Sequence, residues 1–194
     1  MKRVMALGDS ITSADGWRTR LRESLRAGGA EFVGTQGSAP DRHEGRSGSL
    51  VTDVAASGLL AGWLAEAEPD IVLMHYGTND LWRGTRSQAE IMAAYGEVLT
   101  TLRTHNPGVH LLMARLLPMD PDDQPGCPPR VVALNVAIDA WAAERTTPGS
   151  PITPVDQWTG FDVAADTSDG VHPNGAGDAK IAARWHAALA PLLA

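Results

Sequence analysis

The feature that most restricts this chain is the order in which short apolar runs, turn residues and longer amphipathic stretches recur. Runs at residues 4–7, 32–34, 71–76, 109–117 and 152–155 are each bounded by Gly, Pro or Asp. Ile71-Val-Leu-Met74 contains no polar residue. A strand with one wetted face alternates, whereas an unbroken apolar run suits a strand covered on both faces, as in a parallel sheet. Between the runs the period becomes helical. Trp17, Leu21, Ser24 and Leu25 fall on one face, as do Ile91, Tyr95, Val98 and Leu102. The second of these stretches opens with Ser87-Gln-Ala-Glu90, the spacing of a capping box, and should end near Asn106-Pro-Gly108. Leu134, Ile138 and Trp141 mark a third helix, and Ile181, Trp185, Leu189 and Leu192 a C-terminal one entered through Pro173 and Asn174. A further helix is expected over residues 52–64, at some cost from Gly58 and Gly62. Such alternation with right-handed crossovers predicts a three-layer α/β/α domain over residues 1–194, built on a parallel five-stranded sheet. Ligands of these sheets collect beyond the carboxyl ends of the strands, so the chemistry belongs in the loops found there.

Composition removes several alternatives. With 43% apolar and 20% charged residues in 194, the chain has the usual globular mix rather than that of a disordered one. No apolar run approaches the roughly 18 residues of a membrane span, so no membrane partner is expected. A net charge of −7 argues against a nucleic-acid partner, which would need phosphate neutralisation. The single cysteine, Cys127, cannot form an internal disulfide, and no Cys/His spacing suits a metal. Met1-Lys-Arg leads straight into the first apolar run without a signal-peptide core, which reads as cytoplasmic. The oligomeric state is not readable.

Four short segments fall on the loops that matter. The first run is followed by Gly8-Asp9-Ser10, the third by Gly77-Thr-Asn79-Asp80, and a late segment reads Asp169-Gly-Val-His172. Between them lies the Gly-rich His43-Glu-Gly-Arg-Ser-Gly48. Gly-Asp-Ser alone is also ordinary capping chemistry. An Asp three residues before a His can fold back onto imidazole Nδ1, leaving Nε2 to take a proton from a hydroxyl. Of the six histidines only His172 has an Asp so placed; His75 reads as a core residue, and His105, His110 and His186 as solvated.

The set Ser10, Gly48, Asn79 and His172, in that order, resembles the SGNH superfamily of GDSL-type esterases and lipases. Ile11 stands where that pattern often has Leu. A finer likeness, carried by Trp17-Arg18, Phe32-Val-Gly-Thr-Gln36 and the His43–Gly48 segment, is to carbohydrate acetyl esterases that include acetyl xylan esterases. The resemblance implies a flavodoxin-like fold, with Ser10 as nucleophile, His172 as base and Asp169 as its partner. It implies an oxyanion hole of the Ser10 and Gly48 N–H groups and the Asn79 amide, with no metal or organic cofactor. Asp9, His43, Arg46 and Trp82 are candidates for substrate contact, with capping, solvated-loop and packing roles as their alternatives. The Pro-rich segment 118–129 is expected to form a fixed rim, with a mobile lid as the alternative. The function expected is hydrolysis of a short acyl ester, with acetyl favoured, of a small polar alcohol. An acetylated carbohydrate is one such small-molecule partner. An acyltransferase on the same residues, a general esterase or lipase, and a non-catalytic binding domain remain open.

Overall fold

A computed structural model of the chain describes residues 1–25, 29–83 and 86–194. In chain order the elements are β1 (Lys2–Gly8), α1 (Ser10–Ser13), α2 (Gly16–Ser24), β2 (Ala30–Val33), β3 (Glu44–Gly45), α3 (Val51–Ser57) and α4 (Leu59–Ala67). They continue with β4 (Ile71–His75), α5 (Thr78–Trp82), α6 (Gln88–His105), β5 (His110–Arg115), α7 (Cys127–Arg145), β6 (Ile152–Asp156), α8 (Val163–Asp166) and α9 (Gly175–Leu189). The main strands lie in the order β2-β1-β4-β5-β6, and every pairing is parallel. The five expected strands are therefore present. The chain adds a sixth, β3, whose two residues extend the β1 edge beyond β2 through Leu7↔Glu44 and Gly8↔Gly45.

Both faces of the sheet are covered, which is why its strands lack polar alternation. Met5, Leu7, Val72, Met74, Leu111 and Met113 pack into one core with residues of α3, α4, α6 and α7. Val4, Ala6, Ile71, Leu73, Leu112 and Ala114 face the other, with Trp17 and Leu21 of α2 and Trp185 of α9. The α6 capping box forms as expected: Ser87 Oγ accepts from the Glu90 N–H, and the Glu90 carboxylate accepts from the Ser87 N–H at 2.7 Å. Asn174 caps α9, accepting from the Ala176 and Gly177 N–H groups. Leu192 lies past that helix in a 3₁₀ turn.

The helix expected over residues 52–64 is two helices. Gly58, at φ +70°, closes α3 in the left-handed region and opens α4 in a new direction, a conformation glycine adopts without steric penalty. Among the described residues no helix is long and apolar enough to cross a membrane.

Strand order reverses between β1 and β4: β2 is reached on one side of β1, and β5 and β6 on the other side of β4. Loops leaving neighbouring strands at such a point part in opposite directions and open a crevice beyond the carboxyl ends. Ser10 follows β1 and Asn79 follows β4, so both stand on this crevice.

Candidate functional site

Two single-turn helices that the periodicity does not reveal place these residues. In α1, Asp9 is the cap, its carboxylate accepting from the Ile11 N–H at 3.1 Å, and Ser10 opens the helix. In α5, Asn79 sits in the first turn, 2% exposed. Its side-chain amide donates to the Ser49 carbonyl at 3.1 Å, which leaves its second N–H for another acceptor.

The third contributor arrives from the far end of the chain. His172 Nε2 lies 2.9 Å from Ser10 Oγ, and His172 Nδ1 lies 2.7 Å from Asp169 Oδ2. The other carboxylate oxygen accepts from the His172 and Val171 backbone N–H groups at 2.7 and 3.0 Å. Burial pushes the Asp169 carboxyl up, but donation from the His172 backbone and ring and from Val171 outweighs it and holds the group below the usual carboxylate range. A hydroxyl, an imidazole and an ionised carboxylate thus form an unbroken relay. The rim helps fix it. Asp120 of the Pro-rich segment donates its N–H to the Gly170 carbonyl at 2.9 Å, and Asp123 accepts from the Trp82 indole at 2.8 Å. The Trp82 ring stands edge-on to His172, centroids 5.8 Å apart.

Gly48 is held between the other two loops. Ser47 on one side bonds Ser13 at 3.2 Å, and Ser49 on the other receives the Asn79 amide. At φ +76° Gly48 takes a left-handed conformation and is exposed at the crevice. Tyr76 and Asp80, the latter the last residue of the Gly77–Asp80 segment, support it from below. Ser49 Oγ and the Tyr76 hydroxyl share a 2.5 Å hydrogen bond. Fully buried Asp80 accepts from the Val51 N–H, the Thr52 N–H and the Thr52 hydroxyl at 2.9, 3.2 and 2.8 Å. Asp80 thereby ties the start of α3 to the helix bearing Asn79.

Of the four residues expected to contact substrate, Asp9 and His43 are buried, and Arg46 is partly exposed but held by partners. Asp9 is 0% exposed, beneath the nucleophile turn. His43 is buried, and its Nδ1 accepts from the Gly45 N–H at 3.0 Å. Arg46 pairs with buried Glu44 at 2.6 Å, donates to the Thr35 hydroxyl at 3.0 Å and lies 4.0 Å over the Trp63 ring. Each is held by a partner distant in sequence or by its own loop. Trp82 alone stays at the mouth. Cys127 is buried as a free thiol against the Leu81 carbonyl. No group of three or more His, Cys, Asp or Glu side chains among the described residues is gathered as a metal site requires.

Burial pushes the Asp9 carboxyl up to about 7, against the pull of the Ile11 N–H and the Thr78 side chain. The folded state therefore holds this proton more tightly than the unfolded one. Its contribution to stability is fully present below about pH 4 and is lost as the pH rises to about 7. Asp9→Asn keeps the capping oxygen and removes the titration. Between pH 5 and 8 the wild-type protein should lose on the order of 3 kcal/mol that the variant keeps. Thermal unfolding at both pH values checks this; parallel Tm curves would show that Asp9 is ionised in the fold at pH 5.

With this geometry in view, comparison with known proteins is decisive. The profile of the GDSL-like Lipase/Acylhydrolase family matches residues 6–180, a span that includes Ser10, Gly48, Asn79, Asp169 and His172. The chain belongs to this family. Esterases resemble it in sequence and fold. It is 33% identical to a carbohydrate esterase family 3 protein from Talaromyces cellulolyticus, with a TM-score of 0.90 over 100% of this chain and 98% of the other. A crystal structure of an acetyl esterase mutant with acetate ion is 32% identical, TM-score 0.89, over 100% and 98% of the two chains. A multidomain esterase of Ruminococcus flavefaciens is 26% identical over 94% of this GDSL-like chain, which spans 28% of that relative's length.

Proposed function

We propose that the protein is a serine esterase that removes a short acyl group, acetyl above all, from a sugar-like or other small polar alcohol. The observation that carries this reading is the unbroken relay from Ser10 Oγ through His172 to Asp169, standing at the point where the sheet reverses its strand order. Ser10 Oγ attacks the ester carbonyl carbon while its proton passes to His172 Nε2. The charge that develops on the carbonyl oxygen meets the Ser10 and Gly48 N–H groups and the free N–H of Asn79. Collapse expels the alcohol, which takes the proton from Nε2, and leaves Ser10 acylated. Water then repeats the sequence and frees the acid. Asp169 keeps the imidazole in the tautomer that accepts at Nε2 and stabilises it when charged.

The acetyl preference is supported by the walls. Neither Gly48, Ser47 and Ser13 nor the Asp123–Trp82 contact offers a long apolar groove, whereas each buried CH₂ of a fatty chain wants about 0.8 kcal/mol of apolar contact. The acetyl esterase and carbohydrate esterase neighbours point the same way. On p-nitrophenyl esters of graded length, kcat/KM should be highest for acetate and lower by about an order of magnitude for octanoate. A rise towards octanoate would overturn the short-acyl reading. Failure of a fluorophosphonate to label Ser10 would overturn the nucleophile itself.

A further inference from the structure

Among the described residues, the cations around the crevice are engaged, with one exception. Arg46 is held by Glu44 and Thr35. Arg86 donates to Asp53 and Thr52, and Arg130 to the Leu81 and Arg86 carbonyls. Arg83 differs. Its backbone N–H bonds the Asn79 carbonyl at 3.0 Å, which places it one helical turn beyond Asn79 on the same face. Its side chain is exposed, and among the described residues its guanidinium has no hydrogen-bond or ion-pair partner. A methyl group built on Gly48 would meet a single neighbour, the Arg83 guanidinium at 4.0 Å. The open space in front of Gly48 is therefore bordered by an uncommitted, permanently charged fork of donors.

From this we propose that Arg83 is a specificity-determining residue that recognises a carboxylate on the substrate. The inference rests on the acetyl-esterase reading above. Acetyl carries no charge, so the anion belongs to the alcohol, which makes the substrate class an O-acetylated acidic sugar or similar hydroxy acid. A planar guanidinium matches a carboxylate through two parallel N–H···O contacts, and its charge does not depend on pH. The protein's net charge of −7 otherwise disfavours an anion, so a cation at the mouth that is free among the described residues decides where one can dock.

The test compares an O-acetylated hexuronic acid with its uronamide, the same sugar without the charge, by acetate release. The wild-type protein should favour the acid by about tenfold in kcat/KM at low salt, and the preference should shrink as NaCl is added. In Arg83→Gln the acid-to-amide ratio should fall to about one; Arg83→Lys should keep part of it. Because the ratio is taken within each variant, differences in folded fraction cancel. A wild-type ratio of one, or a preference that survives in Arg83→Gln, would overturn the proposal. Hydrolysis of p-nitrophenyl acetate without attack on either sugar would overturn the acidic-sugar assignment and leave the acetyl-esterase reading standing. Loss of p-nitrophenyl acetate hydrolysis as well would remove both.

Discussion

Replacing Ser10 with alanine should lower kcat by about 10⁴- to 10⁶-fold, and His172→Ala should do nearly the same, with the double variant scarcely worse than either. The 2.9 Å contact between the two groups explains the lack of additivity. Without the imidazole the hydroxyl is a poor nucleophile, and without the hydroxyl the imidazole has nothing to deprotonate. Neither residue belongs to the two cores, so both variants should unfold at close to the wild-type temperature. The measurement is steady-state hydrolysis of an aryl acetate beside a thermal melt. A folded Ser10→Ala protein that retained a tenth of the activity would remove Ser10 from the chemistry.

The second large effect is expected at Asn79. Its amide donates one N–H to Ser49 and is proposed to offer the other to charge that appears only in the transition state. Asn79→Ala should therefore lower kcat by about 10²- to 10³-fold with little change in KM. The amide also anchors the Gly48 loop, so the variant can lose the Gly48 donor with it, and the upper end of the range is the better expectation. A change confined to KM would make Asn79 a substrate-binding residue instead. Fluorophosphonate labelling of Ser10 in the variant separates a damaged oxyanion site from a collapsed relay.

The strands and the relay could be read from the sequence because each leaves a local trace. Burial on both faces writes itself as Ile71-Val-Leu-Met74, and an Asp three residues before a His folds back within one turn. The capping box of α6 is local in the same sense. What could not be read depends on partners far along the chain. β3 has no apolar pattern because it is two residues held by the end of β1. Arg46 looks like a loop cation until Trp63 and a buried Glu44 are brought beneath it. The supports of the oxyanion loop, Tyr76 and Asp80, adjoin recognisable motifs. Only the tertiary fold shows that their side chains reach Ser49 and the start of α3. Asp80 itself reads from the sequence as a structural residue bonding nearby backbone, and it accepts from the Val51 and Thr52 N–H groups.

The relay is assembled from residues 162 positions apart, and its last member follows the final strand. During synthesis the sheet can be complete once Asp156 has emerged, with Ser10 already at its edge, yet no proton acceptor is attached. Activity waits for the Asp169–His172 turn and for α9, whose Trp185 meets Trp17 of α2 with ring centroids 6.1 Å apart. A nascent chain thus has Ser10 in place well before the imidazole it pairs with exists. A premature stop between β6 and His172 would leave the strands of the sheet without the imidazole that Ser10 meets.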